Sequence, residues 1–259
     1  MKTVGNLRKA LVDFWWITKG QLYSMRTQWS WYVILLTISP LSYLFFLSFF
    51  ADLSDPSVAL FVVTGSVASS TVTAAMLGLG QTISGLRAAN VLEVYATLPI
   101  SKLAFVMALT ARGVAFSAPS AFIVLIVGSI SLGLPLLPAL LPTIIVYVLG
   151  AFSLAGLGAI IGFYSPTPDA ASLATQVVAP LVTLFAPVFM PMERLPFFLQ
   201  VTSRFIPTTY VAAALREALT QPFSPLYWSS VAVITLFGVI GLAASVYKAD
   251  WRVTASEAR

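Results

Sequence analysis

Nine Asp/Glu, fourteen Lys/Arg and no His or Cys hold all the acid–base, nucleophilic and metal-binding capacity of this 259-residue chain. Without His and Cys there is no disulfide framework, no thiol nucleophile, no common zinc site and no His-based acid–base pair. The nearest approach to a nucleotide site is Gly80-Gln-Thr-Ile-Ser-Gly85-Leu86-Arg87, whose two glycines have phosphate-loop spacing. Leu86 and Arg87 stand where such a loop needs Lys and Ser/Thr, so the phosphate-binding ammonium and the magnesium-binding hydroxyl are both missing. The spacing reads as coincidence, and the chain is not expected to hydrolyse ATP alone. Paired carboxylates or nucleophile–base pairs for membrane proteolysis, prenyl transfer or glycosyl transfer are also lacking. No catalytic residue, metal site or bound cofactor is expected.

The elements that could position anything else are membrane helices. The chain is 59% hydrophobic and 9% charged, whereas a soluble domain carries roughly 25% charged residues. At about 20 apolar residues per crossing, runs at 29–50, 57–83, 104–130, 139–164, 170–190 and 226–247 predict six spans. An acidic turn with Asp52 and Asp55 joins the first two, Pro135 and Pro138 follow the third, and Ser165-Pro166-Thr167-Pro168-Asp169 precedes the fifth. The fold class expected is an all-α integral membrane protein in a single domain over 1–259. The net charge of +5 is assigned to orientation and not to nucleic acid, because the basic residues border apolar runs.

With an inner N-terminus, Lys2, Arg8, Lys9, Lys19, Arg26, Arg87, Lys102, Arg112, Lys248, Arg252 and Arg259 fall inside, while Arg194, Arg204 and Arg216 fall outside. Eleven of the fourteen on one side favours two cytoplasmic termini. Tyr227, Trp228, Tyr247 and Trp251 flank the last run as interfacial anchors do. Residues 1–28 do not read as a signal peptide, since no short apolar core and cleavage site follow the charged start. Val4, Leu7, Leu11, Phe14, Trp15, Leu22 and Met25 recur at helical spacing instead, predicting an amphipathic helix on the inner leaflet.

No run carries an Asp, Glu, Lys or His near its centre, which speaks against proton coupling. Arg112 is the one intramembrane cation, close enough to the inner end of the third run to snorkel. Sodium bound by backbone carbonyls would leave no such trace, so a sodium-coupled carrier and a non-transporting scaffold both stay open.

Two stretches interrupt the apolar pattern. In the inner loop 84–103, a short helix from Asn90 to Leu98 should stop before Pro99, exposing Arg87, Glu93 and Tyr95 beside Val91 and Leu92. That face suits the docking of another protein; an ordinary solvated loop is the plainer alternative. In the outer segment 191–222, Pro196 and Pro207 can each open a short helix, about 196–205 and 208–220. Neither crosses a bilayer of ~30 Å, so the pair should dip into the outer half and return, buried against protein. Glu193, Arg194, Arg204, Arg216 and Glu217 would keep its charged ends near water. A surface cover without a transport role is the alternative.

The six spans, the preceding amphipathic helix, the inner pattern Arg87-Ala-Ala-Asn-Val-Leu-Glu93-Val-Tyr-Ala-Thr-Leu98-Pro99-Ile100-Ser101 and the outer pattern Met190-Pro-Met-Glu-Arg-Leu195-Pro196, Pro207-Thr-Thr-Tyr210 and Leu215-Arg216 together resemble the permease subunit of a type II ABC exporter. The resemblance implies a coupling helix inserted into a separate ATP-binding subunit, with Arg87, Asn90, Val91, Leu92, Glu93 and Tyr95 at the contact and Glu93 at the acidic position. It implies a connecting helix carrying Leu7, Leu11, Phe14 and Trp15, and an outer re-entrant hairpin with Tyr210. It further implies two permease chains, identical or different, with two ATP-binding subunits that hold ATP and magnesium. The pathway would be bordered by the first, second and fifth spans.

Candidate pathway residues are Phe45, Phe49, Ser69, Thr73, Met76, Phe185 and Phe189. The second run is rich in small and hydroxyl residues, and Pro180 and Pro187 fall on one face of the fifth and could bend it. Plain bundle packing is the alternative for these, and for the Gly158/Gly162 pair in the fourth run. The expected function is export of an amphipathic or apolar compound (drug, lipid or glycan) from a bacterial-type plasma membrane.

Overall fold

A computed structural model describes residues 2–24, 26, 29–50, 55–134 and 137–248, with side chains from residue 9 onward. Asp52, Pro135, Trp251, Arg252, Arg259, Met25 and the side chains of Lys2, Val4, Leu7 and Arg8 lie outside the described residues. Among those described the chain is helical throughout, in the order α1 (Lys2–Ser24), α2 (Trp29–Phe50), α3 (Pro56–Thr71), a π-helical turn (Val72–Leu77), α4 (Gly78–Ala88), α5 (Val91–Thr97), α6 (Lys102–Ser131), α7 (Leu140–Tyr164), α8 (Pro168–Leu184), α9 (Phe197–Thr202), α10 (Pro207–Thr220) and α11 (Pro225–Lys248).

Five helices among the described residues are long and apolar enough to cross a membrane: α2, the continuous rod Pro56–Ala88, α6, α7 and α11. The run expected to cross as a fifth span over 170–190 differs. Its helix α8 has 17 residues, or about 26 Å at 1.5 Å per residue, and ends at Leu184. Pro187 explains the end: it has no N–H to continue the ladder and disfavours helical geometry at Ala186. The expected bend is a break.

Helix starts follow from local chemistry. Asp55 accepts a hydrogen bond from the Ser57 N–H at 2.8 Å, Ser101 accepts from Ala104 at 3.1 Å and Thr167 from Ala170 at 3.1 Å, each satisfying an N–H that the helix leaves without a partner. Pro stands in the first turn of α3, α8 and α10, where its missing N–H costs nothing. Between α4 and α5 the chain turns through Asn90 at φ 53°, a left-handed conformation that Asn tolerates better than most residues.

The rod α3–π–α4 is the hub. It packs against α2, α6, α7, α8 and α10, and 78% of its most apolar window is buried, against 17% for α2. Small residues let the neighbours approach its backbone. A Cβ on Gly158 of α7 would collide with the Met76 carbonyl oxygen, one on Gly80 with the Thr175 side chain, and one on Gly162 would stand 2.8 Å from Ile83 Cβ. The Gly158/Gly162 pair thus packs within the chain, as the bland reading of that pattern had it.

Proline positions are compensated too. Pro40 lies inside α2 and cannot donate to the carbonyl four residues back. That carbonyl, of Leu36, accepts instead from Ser120 Oγ of α6 at 3.0 Å, and Ser120 Oγ also meets Ser70 Oγ of α3 at 2.7 Å. One hydroxyl pair therefore ties three helices together where no water would satisfy the freed group.

Candidate functional site

Two cavities lie along the rod, on either side of its π turn. One, of about 220 Å³, runs between α2, α3 and α8 past Ser39, Tyr43, Ser69, Thr183 and Phe189. The other, of about 450 Å³, lies between α2, α4 and α6 past Tyr32, Leu36, Gln81, Arg112 and Phe116. Thr73 and Leu77, both in the π turn, line the two. Single π turns inside α-helices recur at functional sites, and here the turn bridges these two hollows.

Of the expected pathway residues, Ser69, Thr73 and Phe189 line the smaller cavity. Phe189 stacks at 5.9 Å from Tyr43 and fills the space left by Gly65. The other four are placed differently. Met76 is fully buried under Gly158 and belongs to the core. Phe45 and Phe49 are 51% and 83% exposed on the outer surface of α2, because the cavity-facing positions Tyr32, Leu36, Ser39 and Tyr43 follow the three-to-four-residue period and Phe45 and Phe49 fall off that stripe. Phe185 sits exposed at the end of α8. A helical-stripe count on α2, anchored at its hydroxyl residues, would have found Ser39 and Tyr43.

At the other end of the rod, α5 matches the expected short helix closely, stopping at Thr97 with extended Leu98 before Pro99. Its faces sort differently. Val91, Leu92, Tyr95 and Ala96 are partly buried, while Asn90, Glu93, Val94, Thr97 and Leu98 are exposed. The outward stripe thus carries one carboxylate beside two aliphatic side chains, with Val94 62% and Leu98 47% exposed. Sequence reading missed Val94 and Leu98. The signal that could have found them is that Leu92, Tyr95 and Ala96 form the apolar side facing the bundle.

Arg87, expected on the docking face, is turned inward. Its guanidinium donates to the carbonyls of Gly162 at 2.9 Å, Ser165 at 2.7 Å and Pro166 at 3.2 Å. It caps the C-terminal end of α7, where unpaired carbonyls and the helix dipole favour a cation, and so fixes α4 to α7. Tyr95 also points inward, packing at 4.7 Å on Phe105 and accepting from Gln21 Nε2 at 3.2 Å. Gln21 in turn accepts from Arg112 at 2.6 Å through its other amide atom. Gln21 was not singled out from sequence, since a lone Gln on an amphipathic helix gives no signal. In the structure it joins α1, α5 and α6.

Helix α1 lies along α6. Phe14 is partly buried beside Met107, Ala111 and Phe152, whereas Leu11 and Trp15 are 64% and 63% exposed on the side away from the bundle.

Between α8 and α11, the start of α10 is tied to the turn that follows α9 by Thr209 Oγ1 donating to Ser203 O at 2.6 Å and Tyr210 OH donating to Arg204 O at 2.8 Å. Glu193, Arg194 and Arg204 are exposed. Arg216 and Glu217, expected near water, are turned in. Arg216 donates to Pro187 O at 3.0 Å and Val188 O at 3.2 Å and lies 4.1 Å from the Phe61 ring, supplying partners to carbonyls bared where α8 breaks. Glu217 accepts from Ser224 Oγ at 2.5 Å, and Ser224 Oγ accepts from the Tyr227 N–H. At the neighbouring outer end of α3, donation from Ser57, side chain foremost, holds the Asp55 carboxyl below its ordinary value.

A bundle of apolar helices with small-residue contacts, two cavities on one rod and an exposed stripe on the short helix at the rod's end has the parts of a transport permease. The sequence profile of the family described as ABC-2 type transporter matches residues 12–220, well over half of the chain. The chain belongs to the ABC-2 type transporter family. It is a multi-pass membrane permease of that family, which is not itself catalytic and whose members pair with an ATP-binding subunit. No curated protein sequence matches the chain significantly.

Proposed function

We propose that this ABC-2 permease exports an amphipathic or apolar compound out of the cytoplasm, driven by a separate ATP-binding subunit that docks on α5. The observation that carries the proposal is the outward stripe Glu93, Val94, Thr97 and Leu98 at the end of an unbroken 33-residue rod. At 1.5 Å per residue the rod is about 50 Å long, against a hydrocarbon core of ~30 Å, so its α5 end stands clear of the bilayer. Closure of the ATP-binding subunits would move α5 as a lever, and the rod would carry that displacement to the π turn between the cavities. Arg87 makes the lever stiff by joining α4 to α7.

In this reading the domain spans 1–259, both termini are cytoplasmic and α8 with the segment after it serves as the sixth crossing. The α9–α10 hairpin enters the outer half of the membrane: its helices are about 9 and 21 Å long, and α10 is packed among α3, α7 and α11. The exposed aromatic surface of α2 meets lipid or a second permease chain, two of which assemble with two ATP-binding subunits. ATP and magnesium belong to those subunits.

Because the chain has no native cysteine, Val94→Cys creates a single reactive site. In the complex with the ATP-binding subunit that copurifies, a bifunctional thiol–amine reagent is expected to give an adduct joining the two chains. Phe205→Cys, on the exposed outer hairpin, should give none. Failure at position 94, or equal adducts at both positions, would refute docking on α5.

A further inference from the structure

The larger cavity holds a cation that its neighbours do not neutralise. Arg112 is set about ten residues into α6 from Lys102, which is about 15 Å along the helix. Among the described residues it makes one hydrogen bond, to Gln21 Oε1, and no ion pair; the ionisable side chains acting on it are the phenols of Tyr32 and Tyr95. A guanidinium has five N–H donors in a fixed fork, so most of them have no protein acceptor among the described residues, on a side chain that lines the cavity. Intramembrane cations are costly and, where retained, face interior paths and cavities.

Of the other polar groups on this wall, the threonines and the glutamine are already engaged. Thr73 Oγ1 donates to Ser69 O at 3.0 Å and Thr82 Oγ1 to Gly78 O at 2.8 Å, each within its own helix. Gln81 exchanges hydrogen bonds with Ser172 and Thr175 of α8. That leaves the Arg112 fork as the cavity's cationic donor, with the Tyr32 hydroxyl beside it and the apolar side chains of Leu36, Leu77 and Phe116 opposite. Cationic fork plus apolar wall is complementary to one chemistry: an anionic head, phosphate or carboxylate, on an apolar tail.

We infer that the α2–α4–α6 cavity is the inner binding site for the cargo and that Arg112 selects amphiphiles with an anionic head group. The inference deepens the export reading and rests on it. The Arg112–Gln21–Tyr95 chain runs from this head-group site to α5, so an occupant that draws the guanidinium toward the cavity also loosens the contact holding the docking helix to α1. Cargo occupancy and the ATP-binding subunit would thereby act on the same hydrogen-bonded chain. The same chemistry could be met by a resident anionic phospholipid; the cargo assignment is favoured because the π turn itself forms part of the wall.

The test is direct binding to the full chain in phosphatidylcholine nanodiscs, with dodecyl phosphate and dodecyltrimethylammonium as probes below their micelle concentrations. Dodecyl phosphate is expected to bind at least tenfold more tightly than its cationic counterpart. Arg112→Gln should remove that preference, while Arg112→Lys keeps part of it. Gln21→Ala, which frees Arg112 from α1 without removing its charge, should keep all of it. Gly85→Trp covers a misfolded Arg112 variant: Gly85 lines the cavity with open space around its Cβ position, so the indole should weaken the phosphate probe tenfold or more with Arg112 in place. Equal affinity for the two probes in the native chain, an unchanged preference in Arg112→Gln, or unaltered binding in Gly85→Trp would overturn the proposal. Discs containing phosphatidylglycerol separate the two sources: an unchanged affinity for dodecyl phosphate is expected, and a tenfold loss would assign the site to bilayer lipid. Binding is read without ATP or flux, so its failure leaves the export reading standing, and failure of ATP-driven flux leaves the binding result untouched.

Discussion

Glu93→Arg is expected to lower cargo-stimulated ATPase activity of the reconstituted complex at least tenfold while leaving membrane insertion and yield of the chain unchanged. Glu93 is exposed in the first turn of α5, and its side chain makes no hydrogen bond or ion pair among the described residues. Reversing its charge therefore removes nothing from the chain's own fold. The effect would fall on docking: a carboxylate in a protein–protein contact meets a complementary donor, and truncating or inverting one partner of a desolvated charge pair costs ~2–5 kcal/mol. A loss of that size is a roughly thirtyfold to several-thousandfold weakening at about 1.4 kcal/mol per decade. ATPase activity that still responds to cargo in the Glu93→Arg complex would mean that α5 is a solvated loop and not the point of force transfer.

Gly158→Val is expected to have the largest effect on stability. Even the first carbon of the new side chain would strike the Met76 carbonyl, a backbone atom of the π turn that no rotamer change can remove. Overpacking typically costs ~1–3 kcal/mol where side chains can shift, and a collision with backbone in the hub of the bundle belongs at or above the upper end. The expected results are a lower unfolding midpoint in detergent titrations and reduced accumulation in the membrane. Gly20→Val, in α1 where a Cβ meets nothing within 4 Å, is the matched control and should shift the midpoint little. Equal behaviour of the two variants would show that α7 does not press on the π turn as described.

Helix positions were legible in the sequence because the apolar runs are long and their stops are chemical. Pro99, the acidic turn with Asp55, the turn through Pro168, and Pro196 and Pro207 mark boundaries that the structure reproduces within a few residues. The fifth run ends as a helix at Leu184, earlier than expected, since hydropathy does not register the backbone consequence of Pro187. The short helix α5 was legible from its position and stop signal, but its faces were assigned by polarity, which put Arg87 and Tyr95 outward. Both long side chains reach back to the bundle for partners that lie 70 or more positions away in the chain: Arg87 to the end of α7 and Tyr95 to Gln21. Arg216 misled for the same reason, as its partners are carbonyls exposed by a break that the sequence did not predict. The cavity lining was half legible. Small and hydroxyl residues on the second run pointed to Ser69 and Thr73, which line the smaller cavity, while the aromatic content of α2 drew attention to Phe45 and Phe49 and away from the less conspicuous stripe through Ser39 and Tyr43.

The most direct measurement is cargo flux in proteoliposomes that contain this permease with and without its ATP-binding subunit, under matched ion gradients. An ATP-powered permease predicts flux only when both proteins and ATP are present, unaffected by collapsing the sodium gradient. Flux carried by the permease alone and driven by sodium would contradict the account at its root.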